Sequence, residues 1–190
     1  MVSVPANDVG LPSEGLVERA ARGDEAAFSR IVRLHHADMT RVAFVVCGDP
    51  GLAEEAVAAA WPIAWRRLSS LREPDRLRPW LCSVAANEAR QIIRSRRRRA
   101  VMEIPVPDMG GGVMVDHGGR AMDPALRAAD LDLANALARL APDDRALLAL
   151  RYVAGLNSTE LGRALGMSAS GTRARLARLL ERLRQELDDG

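Results

Sequence analysis

Residues 156–187 carry the most regular pattern of apolar and polar positions in the chain. Counted at 3.6 residues per turn, one stripe of the segment 169–187 consists mainly of leucines. Its members are Thr172, Leu176, Leu179, Leu180, Leu183 and Leu187. A second stripe, well away from the first, holds Arg175, Arg178 and Arg182. The apolar face can pack on a small core, whereas an exposed row of guanidinium groups attracts a phosphate backbone.

The residues around this pattern predict where its helices begin and end. Asn157 followed by Glu160 has the spacing of a capping box, which starts a helix at residue 158. Gly166 suits the left-handed conformation that ends this helix, and Ser168 can cap the next one, over 169–187. Two such helices predict a helix-turn-helix whose second helix enters a major groove. An arginine-rich helix that only faces solvent is the alternative.

The rest of the chain is also helical in pattern, without the alternating β-branched runs that indicate a sheet. We expect further helices over 13–23, 24–47, 49–68, 77–99, 125–140 and 143–154, with a kink or a split at Pro62. Glycines and prolines over 100–124 predict a flexible linker. The fold class is therefore all-α. A disordered lead (1–12) precedes one helical domain (13–99), the linker (100–124) and a helix-turn-helix domain (125–190).

The distribution of charge along the chain is more informative about its partners than the net charge of +2. Residues 66–99 contain eleven arginines and three carboxylates, whereas residues 100–146 contain eight carboxylates and four arginines. The segment 163–184 is basic again. Two basic segments on either side of an acidic connector are typical of a protein that contacts nucleic acid twice. Because only 3% of the residues are aromatic, the cores must consist mostly of leucine, alanine and valine.

Several other classes of function find no support in the residues. Cys47 and Cys82 lack metal-ligand spacing and are expected to be buried thiols. His35 and His36 are adjacent and point to different sides of a helix, so joint metal binding is not expected. We find no catalytic triad, phosphate loop or cofactor motif, and we expect neither an enzyme nor a cofactor. No signal segment or membrane span is expected either, which favours the cytoplasm.

The order of several short motifs resembles the extracytoplasmic-function (ECF) class of bacterial sigma factors. They are GDEAAF at 23–28, GDPGLAEEAV at 48–57, AWRRL at 64–68, RPWLCSVAAN at 78–87, the arginine run at 96–99 and the terminal helix-turn-helix. The similarity covers most of residues 16–187. It implies two helical domains, corresponding to sigma regions 2 and 4, in an initiation subunit of RNA polymerase. Core RNA polymerase and double-stranded promoter DNA are the implied partners, and no chemistry is performed by the subunit itself.

The resemblance also implies roles for individual residues. The polymerase-docking helix would contribute Glu54, Glu55 and Val57. The loop 69–78 would capture a flipped base of the minus-ten element, and Trp80 would anchor the helix after it. Residues facing minus-ten DNA would be Asn87, Arg90, Arg94 and Arg97. Residues at the minus-thirty-five groove would be Ser168, Ser170, Arg173 and Arg175, with Arg178 placed for phosphate and Thr172 for packing.

Some residues depart from the family pattern and leave alternatives open. Ala58 and Ala59 replace polar residues that are usual on the docking helix, and Pro62 and Ile63 replace a usual leucine–basic pair. The alternative is therefore a helix-turn-helix transcriptional regulator that binds DNA without engaging core polymerase. A further possibility is an anti-sigma protein that clasps the apolar faces of both domains, although nothing in the sequence identifies such a partner.

Overall fold

The computed structural model describes residues 13–102 and 133–188, and it is helical. The N-terminal unit contains α1 (Ser13–Ala21), α2 (Glu25–Cys47), α3 (Pro50–Arg67) and α4 (Leu77–Met102). Two short 3₁₀ turns, Leu68–Ser70 and Pro74–Arg76, join α3 to α4. The C-terminal unit contains α5 (133–139), α6 (Pro142–Leu148), α7 (Ser158–Leu165) and α8 (Ala169–Asp188), with a π-helical turn, Ala149–Val153, after α6. No strand occurs in these two stretches, in agreement with the all-α prediction.

Local capping signals account for the helix boundaries of the N-terminal unit. The backbone N–H of Ala27 donates to Asp24 Oδ1 at 3.0 Å, so Asp24 caps α2 as its sequence position predicts. Gly48 ends α2 in the left-handed conformation, at φ 72°. Asp49 then accepts from the N–H of Leu52 at 2.7 Å, and Pro50 occupies the first turn of α3. Each boundary is set by residues adjacent to it in sequence.

The core of the N-terminal unit lies where α2, α3 and α4 pack against one another. The face of α3 toward this core carries mainly alanines, and all of its members are fully buried: Ala53, Ala56, Val57, Ala60 and Ala64. Ile31, Met39 and Val42 of α2 and Leu81 of α4 fill the space opposite. Small side chains on α3 allow the helices to approach closely, and the large residues of its neighbours supply the apolar surface that is buried.

Pro62 does not split α3, contrary to one of the two expectations from sequence. The helix runs without a break from Pro50 to Arg67. Pro62 lies on the exposed side, where water can bind the backbone carbonyl that has lost its helical donor. A proline on this side costs the helix one hydrogen bond without disturbing the core.

Other predicted boundaries need correction or lie outside the described residues. The linker was expected to begin at residue 100, but α4 continues to Met102. The helix expected over 143–154 is instead α6 followed by the π-helical turn. The lead (1–12), the rest of the linker and the first part of the helix expected over 125–140 are not among the described residues.

The C-terminal unit does not stand apart from the N-terminal unit. Helix α6 and the π-helical turn pack against α2 and α4, and α6 also contacts α8. Ala146, Leu147 and Leu150 are fully buried in this arrangement. Helix α6 therefore rests on the surface of the N-terminal unit.

Candidate nucleic-acid interface

Four predicted DNA-contacting residues form one row on α4. Asn87, Arg90, Arg94 and Arg97 are separated by three, four and three positions, so they lie on one side of the helix. Arg90 Nη1 donates to Asn87 Oδ1 at 3.0 Å, which aligns the first two. Arg97 is exposed and has no ion-pair partner among residues 13–102 and 133–188. We call these four residues the α4 row.

The centre of the α4 row is occupied by a carboxylate from the other unit. Arg90 Nε lies 2.7 Å from Asp143 Oδ1, and Arg94 Nη2 lies 2.8 and 2.9 Å from the two oxygens of the same carboxylate. Arg90 is largely buried, with 13% of its side chain exposed. Burial alone would raise the pKa of Asp143, but the hydrogen bonds and charges of Arg90 and Arg94 outweigh it and lower that pKa. The carboxylate is therefore ionised at neutral pH.

A cleft of about 420 Å³ lies beside the start of α4. Its basic lining residues are Arg67, Arg72, Arg76 and Arg163, and Trp80, Asn87 and Glu160 also line it. The loop predicted to capture a flipped base forms one wall, and α7 of the C-terminal unit forms another. Arg76 Nε lies 3.2 Å from Glu160 Oε1 and closes part of this boundary. The basic lining suits a polyanion, and the base-capture role of the loop stays a prediction.

The helix-turn-helix prediction is confirmed in its local geometry. Asn157 and Glu160 form the capping box on α7, and Gly166 ends α7 at φ 71°. The N–H of Gly171 donates to Ser168 Oγ at 3.0 Å, so Ser168 caps α8. Thr172 is fully buried and its hydroxyl donates to the Ser168 carbonyl, which confirms its packing role. These contacts fix α8 against α7 in a tight turn.

A glycine that the sequence pattern did not single out controls this turn. A Cβ added to Gly162 would lie 2.6 Å from the carbonyl oxygen of Met167. The backbone of α7 therefore approaches the turn more closely than any larger residue allows. An isolated glycine inside a predicted helix is the sequence signal that indicates such a close approach.

The predicted DNA-contacting residues of α8 fall into two groups. Ser168, Ser170, Arg173 and Arg178 are all exposed. Arg175 is half-buried, and its Nε lies 2.7 Å from Asp144 Oδ1. Within the described chain, Arg173 and Arg178 form no ion pair. The start of α8 is therefore open to a groove, except that Arg175 is held by a carboxylate of its own unit.

The predicted polymerase-docking residues on α3 also differ in their exposure. Glu54 and Glu55 are both exposed. His36 Nε2 lies 3.6 Å from Glu54 Oε2, and Arg96 Nη2 lies 3.7 Å from Glu55 Oε2. The prediction for Val57 is wrong, because its side chain is fully buried in the core beneath this surface. Val57 lies one turn after Glu54, at the edge of α3 where the exposed side meets the buried one.

A second cross-unit contact involves a residue that sequence reasoning treated only as part of a motif. Arg78 Nε lies 2.6 Å from Asp38 Oδ2, and Arg78 Nη2 donates to the carbonyl of Val153 at 3.1 Å. The hydrogen bond and charge of Arg78 hold the pKa of Asp38 below its ordinary value despite partial burial. Arg78 thus joins α2, α4 and the π-helical turn. No sequence signal pairs residues so distant in the chain.

The described residues lack two further features. They contain no group of three or more histidine, cysteine, aspartate or glutamate side chains that could hold a metal ion. None of their helices is long and apolar enough to cross a membrane. Cys47 and Cys82 are both free thiols; Cys82 is buried, as expected, whereas Cys47 is only half-buried.

Comparison with known proteins places both basic helices in one family. Residues 31–99 match the model of Sigma-70 region 2, and residues 136–185 match that of Sigma-70, region 4. The chain is 30% identical to the probable RNA polymerase sigma factor RfaY of Xanthomonas campestris, over 88% of this chain and 42% of RfaY. It is 26% identical to the RNA polymerase sigma factor CnrH of Cupriavidus metallidurans, over 91% of this chain and 93% of CnrH.

The fold is likewise shared with a solved sigma factor. The sigma factor RpoE of Bartonella quintana, solved in complex with the anti-sigma factor NepR, superimposes with a TM-score of 0.66 at 20% identity. The match covers 85% of this chain and 96% of that one. The α4 row lies within the region 2 match, and the helix-turn-helix lies within the region 4 match. The chain therefore belongs to the sigma-70 family of RNA polymerase sigma factors, and within that family to the extracytoplasmic-function class.

Proposed function

We propose that this chain directs transcription initiation by binding core RNA polymerase and holding promoter DNA at two places. In this proposal, residues 13–99 bind polymerase and minus-ten DNA, residues 100–124 connect the units, and residues 125–190 bind minus-thirty-five DNA. The observation that supports it is the presence of two basic helix surfaces, the α4 row and the start of α8, one in each family-matched region. Guanidinium groups bind phosphates, and a helix-turn-helix places its second helix in a major groove.

We assign the contacts of α8 and α3 by exposure and those of α4 by the family resemblance. On α8, the side chains of Ser168, Ser170 and Arg173 would reach base edges, while Arg178 would bind a phosphate. On α4, Asn87, Arg90, Arg94 and Arg97 would bind minus-ten DNA. On α3, Glu54 and Glu55 would contact polymerase. The chain would contribute contacts and strand-opening energy without making or breaking bonds, and it would act in the cytoplasm.

Run-off transcription with reconstituted core polymerase and mapping of the start sites tests this proposal. We expect discrete start sites that require the full chain. Arg173→Gln should reduce run-off product about tenfold, because one base contact is typically worth about 1–3 kcal/mol. Arg184→Gln is the matched control, since Arg184 lies further along α8 and is paired with Glu181. Equal losses in both variants would argue against groove reading by α8.

The rival proposal, a DNA-binding regulator without polymerase contact, is separated by a pull-down. The exposed Ala58 and Ala59 on α3 favour it, because they supply no polar contact to a docking surface. A sigma factor must form a stoichiometric complex with core polymerase, whereas a simple regulator need not. Glu54→Ala with Glu55→Ala should weaken that complex, and Glu18→Ala with Glu25→Ala, two exposed carboxylates on α1 and α2, serves as the control. DNA binding without any polymerase complex would favour the regulator.

An inhibitory protein is a third proposed partner. The structural relatives CnrH and RpoE were each solved with a bound protein, the cytosolic domain of CnrY and the anti-sigma factor NepR respectively. By analogy, we propose that a protein of this kind can hold the present chain inactive. Co-purification from the native organism, with mass spectrometry of the bound fraction, tests this. Recovery of the chain with core polymerase alone in both growing and stressed cells would contradict it.

A further inference from the structure

The exposed side of α3 carries charged residues at its ends and small residues at its centre. Its members recur at the spacing of one helix face: Glu54, Glu55, Ala58, Ala59, Pro62 and Arg66. We call these six residues the α3 stripe. Two carboxylates lie toward the start of the helix and one guanidinium group toward its end, about 18 Å apart at 1.5 Å per residue. The centre of the stripe has no side chain longer than a proline ring.

Pro62 leaves one backbone carbonyl of the α3 stripe without its helical partner. In an α-helix the carbonyl of residue 58 accepts from the N–H of residue 62, and proline has no N–H. Helix α3 nevertheless continues from Pro50 to Arg67, and Ala60 and Ala64 on its other face are fully buried. The free carbonyl of Ala58 therefore lies on the exposed side, beside the proline that created it.

The side chains around this carbonyl supply no donor in its place. The two alanines of the stripe have no polar atom, and the glutamates, when ionised, only accept hydrogen bonds. The side chain of Arg66 makes no hydrogen bond or ion pair within residues 13–102 and 133–188. Trp61 Nε1 donates to His36 Nδ1 at 3.3 Å, so this indole is held toward α2. The carbonyl is thus an open acceptor for a molecule outside the chain.

A proline in the middle of a helix is unfavourable, because it removes a hydrogen bond and its ring crowds the preceding turn. Nothing in the core of the N-terminal unit requires a proline here, since Pro62 is exposed. A local rule that is broken without compensation within the fold is expected at a functional surface. The exposed acceptor is the feature that only a proline provides at this position.

We propose that core RNA polymerase donates a hydrogen bond to the carbonyl of Ala58, and that Pro62 determines specificity of docking by leaving this acceptor free. The inference rests on the proposed function, which assigns Glu54 and Glu55 of the same stripe to polymerase. Arginine or lysine side chains on the partner would serve both parts of the surface, because they pair with carboxylates and donate to carbonyls. The small side chains of Ala58 and Ala59 leave room for such a donor. The backbone would thus supply the polar contact that these two alanines lack.

Pro62→Ala tests the proposal most simply, because it restores the N–H and keeps a small apolar side chain. The experiment measures the Kd of the labelled full chain for reconstituted core polymerase, together with urea unfolding. We expect polymerase binding about three- to tenfold weaker, as for the loss of one hydrogen bond, and a higher urea midpoint. A purely structural role of Pro62 would not weaken binding in a variant that is more stable.

Ala58→Gln tests the same acceptor from the other side. Its amide can donate to the freed carbonyl and covers the small centre of the stripe, so we expect weaker polymerase binding again. If the surface lacked only a polar side chain, the added amide would strengthen binding instead. Ala26→Gln, at an exposed position in the first turn of α2, is the matched control and should bind as the parent does.

The outcomes separate this inference from the proposed function. Weaker binding of Pro62→Ala and Ala58→Gln, with Ala26→Gln unchanged, supports the inference. A parent complex that Pro62→Ala forms with equal affinity overturns it and leaves the proposed function intact. Tighter binding of Ala58→Gln than of the parent also overturns it. A parent chain that forms no complex with core polymerase overturns both.

Discussion

The two units differ in how they are stabilised. The N-terminal unit has three long helices around a core of its own, and fully buried residues come from each of them. The C-terminal unit has one long helix, α8, and three short ones, and its α6 rests on α2 and α4. From this comparison we expect the N-terminal unit to fold without the other, whereas α6 depends on its neighbour for burial.

We expect the largest loss of stability from a substitution in the core of the N-terminal unit. Ala60→Leu adds three carbon atoms to a fully buried position on α3 and should destabilise the chain by about 2–3 kcal/mol. Because α6 packs on this unit, protection of α6 should be lost with it. Hydrogen exchange measured by mass spectrometry reports both units in one experiment. Ala59→Leu, at an exposed position of the same helix, is the control and should change little.

Gly162→Ala should destabilise the C-terminal unit alone. The added Cβ would lie 2.6 Å from the Met167 carbonyl, so the turn must shift, at a cost of about 2 kcal/mol. Exchange protection should fall in α7 and α8 while α2, α3 and α4 keep theirs. Gly15→Ala meets no atom within 4 Å and provides the control. Loss of protection across both units would contradict the one-way dependence described above.

Alkaline pH should act on the N-terminal core through Cys82. Burial raises the pKa of the Cys82 thiol from 9.0 to about 11. A raised pKa contributes stability that is complete below pH 9 and is lost as the pH rises toward 11, by about 3 kcal/mol at most. Urea unfolding at pH 8, 9 and 10.5 should show this loss, and Cys82→Ala should reduce it. An identical alkaline loss in the variant would assign the effect to another group.

A smaller loss of stability is expected at Asp38, because its partner Arg78 also contacts the C-terminal unit. The pKa of Asp38 is lowered chiefly by its hydrogen bond to Arg78, so the stabilisation is present above its ordinary value of 3.8 and is lost as the pH falls through the lowered value. Asp38→Asn should therefore remove about 1 kcal/mol at pH 7 and leave a chain that is less sensitive to acid below pH 4. Urea unfolding at pH 3 and pH 7 measures both. Equal acid sensitivity of the two proteins would contradict this assignment.

Capping residues explain why so much of the fold was predictable. Asp24, Asp49, Asn157 and Ser168 each bind a backbone N–H within three residues, and Gly166 ends a helix by its own conformation. Signals of this range are present in the sequence itself. The exposed position of Pro62, in contrast, depends on how α3 packs, and for this reason the expected split did not occur.

Contacts between residues distant in the chain could not be predicted from the sequence. Asp143 was interpreted as part of a helix start, and it is one, but its binding to Arg90 joins residues 53 positions apart. Likewise, the spacing that grouped Val57 with Glu54 did not indicate that Val57 is buried while Glu54 is exposed. The candidate residues on α4 and α8 came from the arginine pattern and the family resemblance. Their engagement by Asp143 and Asp144 required the folded chain.

Hydroxyl-radical footprinting of the polymerase complex on a promoter found by start-site mapping tests the two-surface account most directly. With the parent chain, we predict two separated protected segments upstream of the start site. Arg173→Gln should weaken protection of the distal segment, and Arg94→Gln should weaken protection of the proximal one. A single protected segment, or the same pattern in both variants, would contradict the claim that α4 and α8 hold different parts of one promoter.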